Sequence, residues 1–165
     1  MMVRRSVMVA GGLALLFAPV GLRTTPSFSV PFPCGQTWMG ATRTSHLPPH
    51  AIDFNRLGDR DDAVVASEDG TVEVVDVADE NYGGLVVIDH GDGWQTYSAH
   101  LDTITVSEGE EVERNDVIGT VGSTGRSDGP HLHYEQRLNG RAMRTVFHAR
   151  ETPSQITRPY TTPAC

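Results

Sequence analysis

Clustered basic residues, long helical periodicities and cysteines are all scarce in this 165-residue chain. Beyond Arg4 and Arg5 no basic stripe appears, and the formal net charge is −8. Gripping phosphates needs clustered Lys and Arg, so no nucleic-acid partner is expected, and anionic membrane surfaces are disfavoured on the same ground. No segment places apolar residues at 3.6-residue spacing over several turns, which argues against a helical bundle. There is no internal repeat and no low-complexity tract. The one long apolar run, from Val7 to about Val20, falls short of the ~20 residues that cross a membrane comfortably and contains Gly11, Gly12 and Pro19. It follows the basic start Met1-Met2-Val3-Arg4-Arg5 and reads as an export signal that is cleaved. Membrane association is expected only if that segment is retained. Only two cysteines occur, Cys34 and Cys165. In an exported protein such an even pair predicts one disulfide joining the ends of the mature domain. Closing so long a loop is worth ~4–5 kcal/mol in the chain-entropy model.

What is present describes a small turn-rich β protein. The 38% apolar and 21% charged residues make an ordinary globular balance. Seventeen glycines and ten prolines favour turns over helices. Residues 1–29 are read as signal and short linker, and residues 30–165 as one domain, expected to be a monomer. Strand signals fall at residues 63–67, 71–77, 84–90, 94–101, 117–121 and 131–138. Gly91-Asp92-Gly93 and Asn139-Gly140 are hairpin signals. The expected architecture is mainly β, an antiparallel sheet folded toward a sandwich or barrel.

Seven histidines stand in the chain. In His131-Leu132-His133-Tyr134-Glu135 a strand would project both histidines from one face and turn Leu132 to the other. Two imidazoles on one face are costly to bury unless something binds them, and imidazole is a standard zinc ligand. Alone, the pattern equally fits two solvated histidines. A long flexible loop, Gly122 to Pro130, feeds straight into His131 and is of the kind that frames a site. His100, in Tyr97-Ser98-Ala99-His100-Leu101, is either a core histidine or a general acid or base. The segment from Thr44 to Phe54 holds His46, His50 and Asp53. A catalytic zinc wants about three protein ligands and an open position. One His and one Asp from this segment, with one His from the His-x-His pair, would supply them.

Together, His46…Asp53, Tyr97-Ser98-Ala99-His100-Leu101 and Gly125…Gly129-Pro130-His131-Leu132-His133-Tyr134-Glu135 resemble the LytM/lysostaphin family of zinc metalloendopeptidases. The order matches, as does the text between, such as Tyr82-Gly83-Gly84-Leu85-Val86-Val87-Ile88-Asp89-His90-Gly91. The likeness covers roughly residues 38 to 140. It implies a lysostaphin-like peptidase fold and one zinc held by His46, Asp53 and His133. It implies His100 and His131 as catalytic histidines that do not ligate the metal, and short peptidoglycan peptides as substrate. A secreted or cell-envelope location follows. The chain departs from the family's frequent tight His-x-x-x-Asp: His46 and Asp53 are seven apart, so His50 is a rival first ligand. The loop around Arg60-Asp61-Asp62 also lacks the glycine often found before the next strand. His90 and His148 match no role. Tyr97 fits groove lining or core packing, and Glu135 fits either a partner that orients a ligand or a surface salt bridge. The alternative function is a catalytically inactive relative that binds the wall or activates another hydrolase.

Overall fold

A computed structural model describes residues 25–43, 48–153 and 155–164. Most of the expected leader, His46 and Cys165 lie outside the described residues. Cys34 is not a free thiol, but its expected partner is one of those outside.

Regular structure among the described residues is all strand: β1 (Thr37–Ala41), β2 (Ile52–Asn55), β3 (Ala63–Val65), β4 (Gly70–Asp79), β5 (Gly83–Asp89), β6 (Trp94–Ile104), β7 (Glu111–Val112), β8 (Val117–Val121), β9 (Leu132–Leu138), β10 (Arg141–Met143), β11 (Val146–Phe147), β12 (Arg150–Glu151) and β13 (Thr157–Thr161). Every pairing described is antiparallel. The main sheet runs β13-β1-β2-β9-β6-β5-β4-β7, with β10 on β9 and the β3–β8 pair joined to β6. The expected folded antiparallel architecture is the one observed. The Asn139-Gly140 hairpin is also present: Leu138 pairs with Arg141, and both turn residues have positive φ, 50° and 75°. That is the conformation a two-residue primed turn requires.

The two faces of the sheet do different work. On β9, Leu132 and Tyr134 enter the main core beside Ile52, Phe54, Val86 and Ile88. Each such fully buried side chain contributes about 1.5–3 kcal/mol. The alternate residues His133 and Glu135 face the other way, toward the side lined by Leu85, Val87, Ala99, Tyr82 and Tyr97. The packed chain begins before residue 30. Phe28 is fully buried edge-on to His90 and Trp94, and Phe32 stacks on Trp38 at 3.7 Å.

Register carries the site. Asp53 pairs with His133 across β2 and β9, and Ala99 pairs with His133 across β6 and β9. Directly opposed residues share a face, so simple alternation along β6 would send His100 to the core side, with Ser98. A bulge prevents this. The pairing with β5 jumps from Val86–Ser98 to Gly84–Leu101, and His100 takes a left-handed backbone with φ 64°. Beyond it, β6 leaves β9 and pairs with β8. Bulges re-aim a side chain and bend the strand. This one turns His100 onto the face that carries His133.

Candidate active site

A cleft of about 1010 Å3 opens over that face, and Asp53, His100, His131 and His133 all line it. At its floor, His133 Nδ1 lies 3.1 Å from Asp53 Oδ1, and His131 Nε2 lies 3.7 Å from the same oxygen. The ring centroids of His100 stand 4.7 Å from those of His131 and 5.7 Å from those of His133. Four of the five sequence-predicted site residues therefore meet at one place. The fifth, His46, lies outside the described residues. The rival His50 lines a separate pocket of about 180 Å3 rather than the cleft, and its carbonyl accepts a hydrogen bond from Thr145. Among the described residues no set of three His, Cys, Asp or Glu is arranged to hold a metal.

Two backbone carbonyls set the histidine rings. His100 Nδ1–H donates to Thr124 O at 2.9 Å, and His131 Nδ1–H donates to Gly129 O at 2.8 Å. A carbonyl only accepts, so the proton sits on Nδ1 in both rings, and a neutral ring then keeps its lone pair on Nε2. Burial, reinforced by the neighbouring His131, pushes the His100 pKa down to about 4. His100 is thus neutral at pH 7, with a basic Nε2. Thr124 is itself fixed, since its hydroxyl accepts from Gly84 N and donates to Leu101 O, both at 2.8 Å. Gly83 and Gly125 allow this contact. A Cβ on Gly83 would lie 2.3 Å from Thr124 C, and one on Gly125 would lie 2.3 Å from Gly83 N.

His133 sits in a different environment. Burial works against its charge, but hydrogen bonds to Asp53 and Glu135 outweigh this and raise its pKa to about 9. Glu135 is 1% exposed, which excludes the surface salt bridge. Its Oε1 meets His133 Nε2 at 3.0 Å and accepts from Tyr82 Oη at 2.9 Å, while Oε2 accepts from Arg137 Nε at 2.7 Å. Arg137 also donates to Tyr82 Oη at 2.9 Å and lies 4.0 Å over the Tyr97 ring. Despite its burial, these partners hold the Glu135 carboxyl below the usual carboxylate range. Tyr97 is thus packed under Arg137 and does not line the groove. His90, bonded to Asp69 O at 2.7 Å and Thr96 Oγ1 at 2.9 Å, is structural.

The donor set suits zinc. A carboxylate and an imidazole converge at 3.1 Å, and the far nitrogen of that imidazole meets a second carboxylate. Metal-ligating histidines are commonly fixed in this way. The raised pKa of His133 shows that these groups favour positive charge there.

Sequence reasoning missed Tyr82, Arg137, Thr124 and Gly129 as parts of the site. Arg137 had a signal, because it lies two residues beyond Glu135 on the same strand and so on the same face.

Residues 50–145 match the family model described as Peptidase family M23. The chain belongs to peptidase family M23. Over 72 residues this M23 chain is 51% identical to the DD-carboxypeptidase/endopeptidase Mpg of Neisseria meningitidis, covering 44% of the chain and 16% of that protein. Over 86 residues it is 40% identical to the murein hydrolase activator NlpD of Salmonella dublin, covering 52% of the chain and 22% of that protein. The match thus spans only a small part of each curated relative. Among solved structures, it superimposes on a zinc-containing peptidase from Vibrio cholerae with a TM-score of 0.60 and 29% identity, covering 78% of this chain and 40% of that one. The relatives thus include both a protein named as a DD-carboxypeptidase/endopeptidase and one named as an activator of murein hydrolases.

Proposed function

We propose that this chain is a zinc-dependent endopeptidase, exported to the cell envelope, that hydrolyses peptide bonds in peptidoglycan stem peptides or crossbridges. The observation that carries this reading is the buried Asp53–His133 pair with two carbonyl-oriented histidines beside it in one cleft. His46, Asp53 and His133 hold one zinc per chain. When bound, zinc supplies Lewis acidity, acidifying water and polarising a scissile carbonyl.

The chain's own residues do the rest. Glu135 accepts a hydrogen bond from His133 Nε2–H and fixes that ring, so the neutral ring would present the lone pair of Nδ1 to a metal. Neutral His100 offers Nε2 to a proton of the attacking water. His131, oriented by Gly129 O, turns Nε2 toward the cleft, and in the doubly protonated ring Nε2–H donates to the developing oxyanion or passes its proton to the leaving amine. The two histidines can exchange these roles. Cys34 and Cys165 form the bridge that ties the ends of the domain, and the leader is removed on export. The similarity to NlpD supports one other reading, an activator of another hydrolase. Such a protein has no use for two histidines held in defined tautomers, so the enzyme is preferred.

Zinc content tests this reading. The purified, oxidised chain is expected to carry about one zinc, and His133→Ala is expected to lose it and to melt lower, because Asp53 and the buried Glu135 lose their partner, while keeping the far-ultraviolet signature of the β fold. A metal-free wild-type protein that fails to take up added zinc would overturn the reading.

A further inference from the structure

We infer that Arg126 is a specificity-determining residue that holds a carboxylate of the peptide substrate beside the scissile bond. This rests on the peptidase reading above.

The charges in the cleft divide into two groups. Asp53 is engaged by His133 and His131, and Arg137 by Glu135. Arg43, Arg126 and Asp128 also line the cleft, and among the described residues none of them enters an ion pair. In a chain of formal net charge −8, free guanidinium groups facing the cleft stand out. Elsewhere Arg56, Arg60, Arg114 and Arg144 are each matched to a carboxylate, and the other described arginines without an ion pair, Arg141, Arg150 and Arg158, do not line the cleft.

Arg126 is the better placed of the two free cations. It lies on the loop whose ends orient both histidines, through Thr124 O on His100 and Gly129 O on His131. The loop backbone is tied down. Arg126 N donates to Asn81 O at 2.9 Å, and Ser127 Oγ donates to Gly129 O at 2.8 Å. These bonds consume the backbone and leave the Arg126 side chain exposed at the rim. No ion pair joins it to Asp128, two residues on. The anchored loop thus places Arg126 in the same cleft as the two histidines it orients. A peptide substrate offers anionic groups only as carboxylates, and the planar fork of Arg matches them in two parallel hydrogen bonds. Arg43 lines the same cleft but lies just after β1, outside the loop that orients the two histidines.

The test uses a pair of muropeptides, identical except that one carboxylate near the cleaved bond is free in the first and a carboxamide in the second. The zinc-loaded wild-type chain is expected to prefer the free acid by roughly 10- to 100-fold in kcat/KM. Arg126→Gln is expected to bring that ratio close to one, through KM more than kcat, and Arg126→Lys to leave an intermediate ratio. Zinc content and melting of each variant exclude misfolding as the cause. A wild-type ratio near one, or a ratio unchanged in Arg126→Gln, would overturn the inference while leaving the peptidase reading intact. Cleavage of neither peptide by the wild type would overturn the peptidase reading and this inference with it.

Discussion

Replacing Glu135 with alanine is expected to destabilise the fold by about 3 kcal/mol or more and to weaken zinc binding roughly 10- to 100-fold. Glu135 is the centre of a buried network in which both of its oxygens are occupied. Removing it leaves His133 Nε2 without its partner and leaves the Arg137 charge half-buried under Tyr97 and Tyr82. Breaking a buried pair by deleting one partner costs more than the pair contributes, because a charge is stranded. Glu135→Gln keeps the shape and loses the charge, so it should retain more stability than alanine while still losing metal affinity. Urea unfolding of the metal-free chain and competition for zinc against a chelator separate the two effects. If Glu135→Gln bound zinc as tightly as wild type, Glu135 would be a packing residue only.

The second large effect is on turnover. His100→Asn is expected to lower kcat by roughly 10²- to 10⁴-fold, the usual worth of a general acid or base, with zinc retained. Asparagine is the informative replacement because His100 holds φ 64°. Asn tolerates that backbone better than Ala and carries no imidazole. Stability should therefore change little, and any loss of rate reports the missing ring. Single-turnover rates beside bound-zinc measurements check this. A His100→Asn protein within about tenfold of wild type would remove His100 from the chemistry.

Some of this site was readable from the chain and some was not, for physical reasons. The His131-x-His133 pair was readable because strand side chains alternate with period two, and the structure does place both rings against Asp53 while Leu132 enters the core. His100 was not readable that way. Alternation along β6 points it to the core, and only a bulge with a left-handed residue reverses it. The likeness to a known family put it in the site where periodicity could not. The face of Glu135 was readable, but its burial was not, since that depends on Tyr82 and Arg137 closing over it. Thr124 O and Gly129 O were invisible, because backbone carbonyls have no sequence signature. At the level of the fold, the apolar hairpins of the centre were legible. Strands β1 and β13 were not, carrying Gly40 and Pro159 in place of an alternating apolar pattern. Pro159 is tolerated because β13 is the edge strand, where a missing N–H costs little.

The central claim is that this chain itself cuts peptide bonds of the wall. The most direct measurement is mass spectrometry of the fragments released from purified peptidoglycan by the zinc-loaded protein acting alone. Soluble muropeptides with newly freed peptide amines are expected, abolished by a chelator and restored by zinc. Intact peptidoglycan after treatment with a fully zinc-loaded chain, together with release when a separate wall hydrolase is added, would contradict it and make the protein an activator.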